Sequence, residues 1–140
     1  MAKEKGILML KPGFLNCAAE VLKRLRAVPG LSIKKITSFR INEEFFLSLY
    51  GEHKEKSFFR ILQDYVVEKY VIIALFEGDD GIIEKVRVIV GDTDPAKAAP
   101  GTIRHDLGEE KDIMRNVVHA SANPKDGERE HALVCKEQKL

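Results

Sequence analysis

The amino-acid sequence predicts an α+β fold, with helices packed against a mostly antiparallel sheet. Three observations predict it. Short β-rich apolar runs alternate with segments whose apolar residues recur at helical spacing. The elements follow in the order β-α-β-(αα)-β-α-(loop)-β-α. The 140 residues suit a single domain able to enclose a core, and residues 1–140 are read as one such domain.

Taken in order, Gly6-Ile7-Leu8-Met9-Leu10 is a short apolar run that stops at Lys11-Pro12. A proline ends strand pairing, so this is a buried strand that delivers Lys11 to its end. Leu15, Ala18, Ala19, Leu22 and Leu25 follow at helical spacing, closed by Pro29-Gly30. Leu31 to Phe39 alternates imperfectly: Leu31, Ile33, Thr37 and Phe39 share a face broken by Lys35, which predicts a half-exposed strand. Asn42–Leu49 and Lys56–Val67 read as helices, the second with Phe58, Phe59, Leu62 and Val66 along one stripe. Tyr70 to Phe76 is the most β-rich run and the expected central strand.

Asp80 to Val90 fits either element, and Asp79 or Asp80 as N-cap with Gly91 as terminator favours a helix. Asp92 to Arg115 holds Pro95, Pro100, Gly101 and Gly108 with weak periodicity, a long loop of the kind that carries function. Val117–Ser121 is a last short strand and Asp126–Val134 a last helix.

Charge and cysteine usage narrow the function. Lys and Arg total 23 against 22 Asp and Glu, a net charge of +1, which excludes a dedicated nucleic-acid surface. Residues 1–70 carry 13 cations against 8 anions and residues 71–140 carry 10 against 14, so near-neutrality averages opposite halves. The N-terminal apolar run is too short for a signal-peptide core, and no stretch reaches the ~20 apolar residues of a membrane span. Cys17 and Cys135 are isolated thiols without a CxxC spacing. A cytoplasmic protein with no membrane partner is expected.

Neither GxxxxGK[ST] nor GxGxxG occurs, so side chains must hold any phosphate. The four histidines show no HExxH or Cys/His zinc spacing, and there is no GxSxG elbow. His119 stands out at the end of a predicted strand, in Arg115-Asn116-Val117-Val118-His119-Ala120-Ser121. An imidazole is mostly neutral at neutral pH and attacks without an activating base. A carboxylate fixing one ring nitrogen leaves the other free to do so.

Asn116 to Ser121 resembles the active-site segment of nucleoside diphosphate kinases. Leu10-Lys11-Pro12 is similar to that family's first-strand Lys-Pro motif, Tyr50 to Phe59 to its Tyr-x-x-His and Phe-Phe segment, and Phe76-Glu77-Gly78 to its Glu-Gly turn. Arg87 to Pro95, Pro100 to Arg104 and Glu128-Arg129-Glu130 match further motifs in the same order. Lys11, Arg87 or Glu130 taken alone reads as an ordinary charged residue, and Phe58 as core; only their joint order over nearly the whole chain carries the resemblance.

The resemblance implies a ferredoxin-like βαββαβ sandwich with an inserted helical pair and a long active-site loop. It implies a homo-oligomer, hexamer or tetramer, and Mg²⁺-dependent ping-pong transfer of the ATP γ-phosphate to nucleoside diphosphates, the Mg²⁺ held mainly by nucleotide phosphates and water rather than by protein ligands. His119 would be the phosphohistidine nucleophile. Lys11, Arg87, Thr93 and Arg104 would contact phosphates, and Lys11 and Asn116 the ribose hydroxyl. Tyr50 and Glu130 would orient the imidazole, with Ser121 alongside. Phe58 would stack on the base, with Leu62 and Ile113 as apolar neighbours.

Gly13, Ala120 and Ala122 depart from the family's usual residues. The change at 122 is expected to remove a cap from the last helix. A nucleotide-binding regulator with weakened catalysis and a structural protein of the same shape are the rival readings.

Overall fold

The computed structural model describes residues 3–51, 54–109, 111–112 and 114–139. Its framework is a four-stranded sheet in the order β2-β3-β1-β4. The strands are β1 (Lys3–Leu10), β2 (Leu31–Arg40), β3 (Tyr70–Asp79) and β4 (Val118–Ala120), every neighbouring pair antiparallel. The helices are α1 (Ala18–Arg26), α2 (Glu43–Tyr50), α3 (Phe59–Val66), α4 (Ile82–Val90), α5 (Ile103–Leu107) and α6 (Pro124–Gln138), with a 3₁₀ turn at Leu15–Cys17 before α1. Strand order and pairing agree with the ferredoxin-like arrangement, α2 and α3 being the inserted pair.

Helices cover both faces of the sheet, which is why β1 reads as a continuous apolar run rather than an alternation. Leu8 and Leu10 join Ala74 and Phe76 beneath α1 and α4. Ile7 and Met9 join Ile73 and Leu75 beneath α2, α3 and α6. These β1 side chains are fully buried, each contributing ~1.5–3 kcal/mol of apolar burial.

Four expectations change. Leu31, Ile33, Thr37 and Phe39 do not share a face. A bulge between Ile33 and Lys35 inserts one residue, so Leu31 and Ile33 pack with the α1/α4 core and Phe39 with the other. The start of α4 is capped by neither Asp79 nor Asp80. Gly81 takes φ +91°, and Glu4 of β1 accepts from the Gly81 and Ile83 amides at 2.9 and 3.0 Å. The stretch from Asp92 to Arg115 is not structureless, since Thr102 caps α5 within it. The last helix keeps its cap despite Ala122: the Asn123 side chain accepts from the Asp126 amide at 2.8 Å, and Pro124 occupies the first turn, so α6 begins before Asp126 and runs past Val134.

Candidate functional site

The residue that follows β1, His119 and Ala120 of β4, and residues of four helices, α2 to α5, converge on one cleft of about 490 Å³. Lys11, Tyr50, Phe58, Leu62, Arg87, Thr93, Arg104, Asn116 and His119 all line it. Ser121 and Glu130 are buried directly behind His119. Ile113 lies outside the described residues, as do Glu52 and His53 within the Tyr50–Phe59 motif.

A chain of hydrogen bonds fixes the histidine. The Ile7 amide donates to Ser121 Oγ at 3.0 Å, and Ser121 Oγ donates to Glu130 Oε1 at 2.8 Å. His119 Nε2 stands 3.0 Å from the same carboxylate oxygen. Burial pushes the Glu130 carboxyl up, but the bonds from His119 and Ser121 and the nearby Arg129 guanidinium outweigh it, and the group is held below its ordinary value. An ionised carboxylate only accepts, so the imidazole proton sits on Nε2 and Nδ1 keeps its lone pair. Tyr50 meets the imidazole edge-on at 5.3 Å. Its hydroxyl is buried with no partner among the described residues, and burial and the Glu130 charge keep it protonated. Ala120, beside the histidine, takes no left-handed backbone, so its methyl adds no strain there.

Strain sits two residues earlier. Val117 has φ +75°, and the Val118 amide bonds back to the Asn116 carbonyl at 2.9 Å, a γ-turn on a β-branched residue. The turn ends strand pairing, so β4 begins at Val118 rather than Val117, and it aims Asn116 back into the cleft. There Asn116 Oδ1 accepts from Lys11 Nζ at 2.8 Å and Nδ2 donates to the Thr93 carbonyl at 2.9 Å. The Arg104 guanidinium spans the same frame, donating to the carbonyls of Gly91, Asn116 and Val118 at 2.8–3.1 Å. Arg87, in the last turn of α4, donates to the Ala122 carbonyl at 2.9 Å.

Among the described residues no carboxylate is bonded to Lys11. Burial, then the Arg104 charge, lowers its pKa to about 7 against the pull of Asp112. Burial lowers Arg104 to about 10, with Arg87 adding to the effect and Tyr50 and Asp92 opposing it. Buried cations held by neutral groups leave charge for an anion to meet.

Phe58 and Leu62 form an apolar wall at the start of α3. Met114 and Lys56 also line the cleft, and sequence reasoning missed both. Lys56 Nζ lies 5.8 Å from the centre of the Phe58 ring. Met114 adjoins Ile113 in the chain, and Lys56 sits in an ordinary run of charges that gave no signal. Among the described residues no group of three or more His, Cys, Asp or Glu side chains is placed to hold a metal ion. No helix among them is long and apolar enough to cross a membrane.

Comparison with known proteins gives concordant results. The family model described as nucleoside diphosphate kinase matches residues 4–140. The chain is 39% identical over 139 residues to the nucleoside diphosphate kinase of Chloroflexus aurantiacus, covering 98% of this chain and 90% of that one. It is 40% identical to that of Archaeoglobus fulgidus over 98% of this chain and 89% of the other. The structure resembles the nucleoside diphosphate kinase of Aquifex aeolicus with a TM-score of 0.85 and 31% identity, covering 95% of each chain. It also resembles the Halobacterium salinarum enzyme, solved in complex with CDP, with a TM-score of 0.84 and 33% identity, covering 94% of this chain and 87% of that one.

Proposed function

The chain belongs to the nucleoside diphosphate kinase family, and on that premise we propose that it passes the γ-phosphoryl group of ATP to nucleoside diphosphates through a phosphohistidine on His119 Nδ1. The observation that carries this reading is the bond from His119 Nε2 to Glu130, which leaves Nδ1 as the nucleophile in a cleft that also holds Lys11, Arg87 and Arg104.

In the first half-reaction the Nδ1 lone pair forms a bond to the γ-phosphorus. The bond to the bridging oxygen breaks, and the nucleoside diphosphate leaves with its electrons. Positive charge develops on the ring, and the Glu130 carboxylate meets it through Nε2–H. In the second half a terminal phosphate oxygen of another diphosphate attacks the same phosphorus, and the N–P bond breaks. No proton transfer is required, so the work is positioning and charge neutralisation.

Lys11, Arg87, Thr93 and Arg104 bind the phosphates, Lys11 and Asn116 also reach the ribose hydroxyl, and Tyr50 steadies the imidazole. Phe58 stacks on the base, with Leu62 and Ile113 as apolar neighbours, and a stacking face accepts any base. Mg²⁺ bound with the nucleotide would offset the charge of the phosphates. The Glu130 carboxylate is bonded to His119 and Ser121, and the family likeness supports an ion held mainly by nucleotide phosphates and water. The extent of the family match, residues 4–140, supports one domain of this kind over residues 1–140. By likeness to the family, we read it as acting in the cytoplasm as a homo-oligomer, hexamer or tetramer.

The test is to incubate the protein with γ-labelled ATP and Mg²⁺ and then add GDP. The expected product is an acid-labile, base-stable phosphoprotein that discharges to GTP and is absent in His119→Ala. Nucleotide binding without labelling of the native protein would instead identify a regulator.

A further inference from the structure

Arg115 does not line the cleft, yet its guanidinium touches three segments that build it. It lies 4.9 Å from the centre of the Phe14 ring and 5.9 Å from that of Tyr65. Its Nε pairs with Glu109 at 2.7 Å. Both terminal nitrogens come within 3.0 Å of where a Cβ on Gly13 would stand. That close approach, and a φ of +90° at Gly13, are why a glycine serves at a position where the family commonly carries another residue.

Each contact has a neighbour in the cleft. Gly13 and Phe14 belong to the turn that holds Lys11, and the Phe14 amide donates to the Lys11 carbonyl at 3.0 Å. Tyr65 stands one turn beyond Leu62 on α3, and its hydroxyl donates to the Pro12 carbonyl, tying that helix to the same turn. Glu109 and Arg115 close the loop after α5, where the Glu109 amide donates to the Arg115 carbonyl at 3.1 Å. Met114 and Asn116 flank Arg115 in that loop, and both line the cleft.

We propose that Arg115 is a positioning residue for nucleotide binding, a planar cation clamped between the Lys11 turn and helix α3 that fixes the spacing of the phosphate side of the cleft against its base side. The inference rests on the kinase reading and extends it to a residue that touches neither substrate nor reacting atoms. Shape matters more than charge here. The Glu109 pair is half-exposed, and such pairs contribute little, whereas a guanidinium stacked on aromatic rings holds an orientation that an ammonium does not.

The test compares R115A, R115K and E109Q with the native protein by ADP titration calorimetry and by phosphoryl-transfer kinetics, at a temperature where circular dichroism shows each protein folded. Misplacing binding groups is expected to weaken ADP affinity about tenfold in R115A and about threefold in R115K, with less than about twofold change in E109Q. Turnover at saturating nucleotide should stay within about twofold, because the loss is in binding rather than in the transfer step. A purely structural residue would instead lower the melting temperature and leave the affinity of the folded protein intact; that outcome, or a loss of turnover at unchanged affinity, overturns the proposal. Should R115A not fold, R115K decides: native ADP affinity there overturns it equally. Failure of the kinase reading shows separately, as native protein that binds no ADP, and would remove this inference with it.

Discussion

Lys11 illustrates how a single residue can link binding to pH. Its ammonium bonds the neutral Asn116 Oδ1, faces Arg104 from α5 and Asp112 from the loop beyond, and shares the cleft with Arg87, Tyr50 and His119. Burial and Arg104 lower its pKa to about 7, below the ordinary lysine value that the unfolded chain restores. Between those two values the unfolded chain binds more protons than the folded one, so this group's contribution to stability rises with pH across that window. A polyphosphate favours the charged form and reverses the shift. Above about pH 7 nucleotide binding must therefore take up a proton. ADP affinity is expected to fall by up to about tenfold per pH unit between ~pH 7.5 and ~9.5. Lys11→Arg stays charged throughout, so its affinity should be nearly flat over the same range. Titration calorimetry on both proteins checks this, since ionisation of ADP itself is common to the two; equal slopes would sink the linkage.

At the scale of elements, α6 carries Glu130 and must lie close against β1 to reach His119. Gly127 permits it: a Cβ there would stand 2.2 Å from the Lys5 carbonyl oxygen and 3.0 Å from Ile83 Cδ1. An alanine in a helix interior is ordinarily favoured over glycine by ~0.5–1 kcal/mol. Here overpacking at ~1–3 kcal/mol wins, so Gly127→Ala should lower Tm and, by drawing Glu130 off the imidazole, lower kcat more than ADP affinity. A raised Tm with unchanged kcat would show that the helix has room. The sequence revealed this helix but not its closeness, because spacing reports which face is apolar and not how near the backbones come. The bulge in β2 was hidden for a related reason, since one inserted residue flips the downstream face without altering composition. Glu4 as the cap of α4 was equally invisible, being far from that helix in the chain. What was legible, from Lys11 at the end of β1 to His119 on β4, was legible through the joint order of motifs. The γ-turn at Val117, and the entry of Lys56 and Met114 into the cleft, depend on tertiary geometry that no local pattern encodes.

Over the whole molecule, a net charge of +1 gives little long-range field to draw in a polyphosphate, so recognition has to be local. The cleft meets this with Lys11 from the more basic half of the chain and Arg87 and Arg104 from the more acidic half. The three differ in exposure. Lys11 is buried, Arg104 is largely enclosed by backbone carbonyls, and Arg87 is exposed and tethered through the Ala122 carbonyl. Mobile ions screen charges in solvent over ~8–10 Å and reach buried ones much less. The salt sensitivity of nucleotide binding should therefore be carried by Arg87. Raising salt from about 0.05 to about 0.5 M is expected to weaken ADP binding severalfold in the native protein. Arg87→Met should bind more weakly at low salt and lose most of that dependence, the two affinities converging as salt rises. Titration calorimetry across the salt series separates the cases: parallel curves for the two proteins would mean that the buried pair, or charges outside the cleft, set the field that the nucleotide meets.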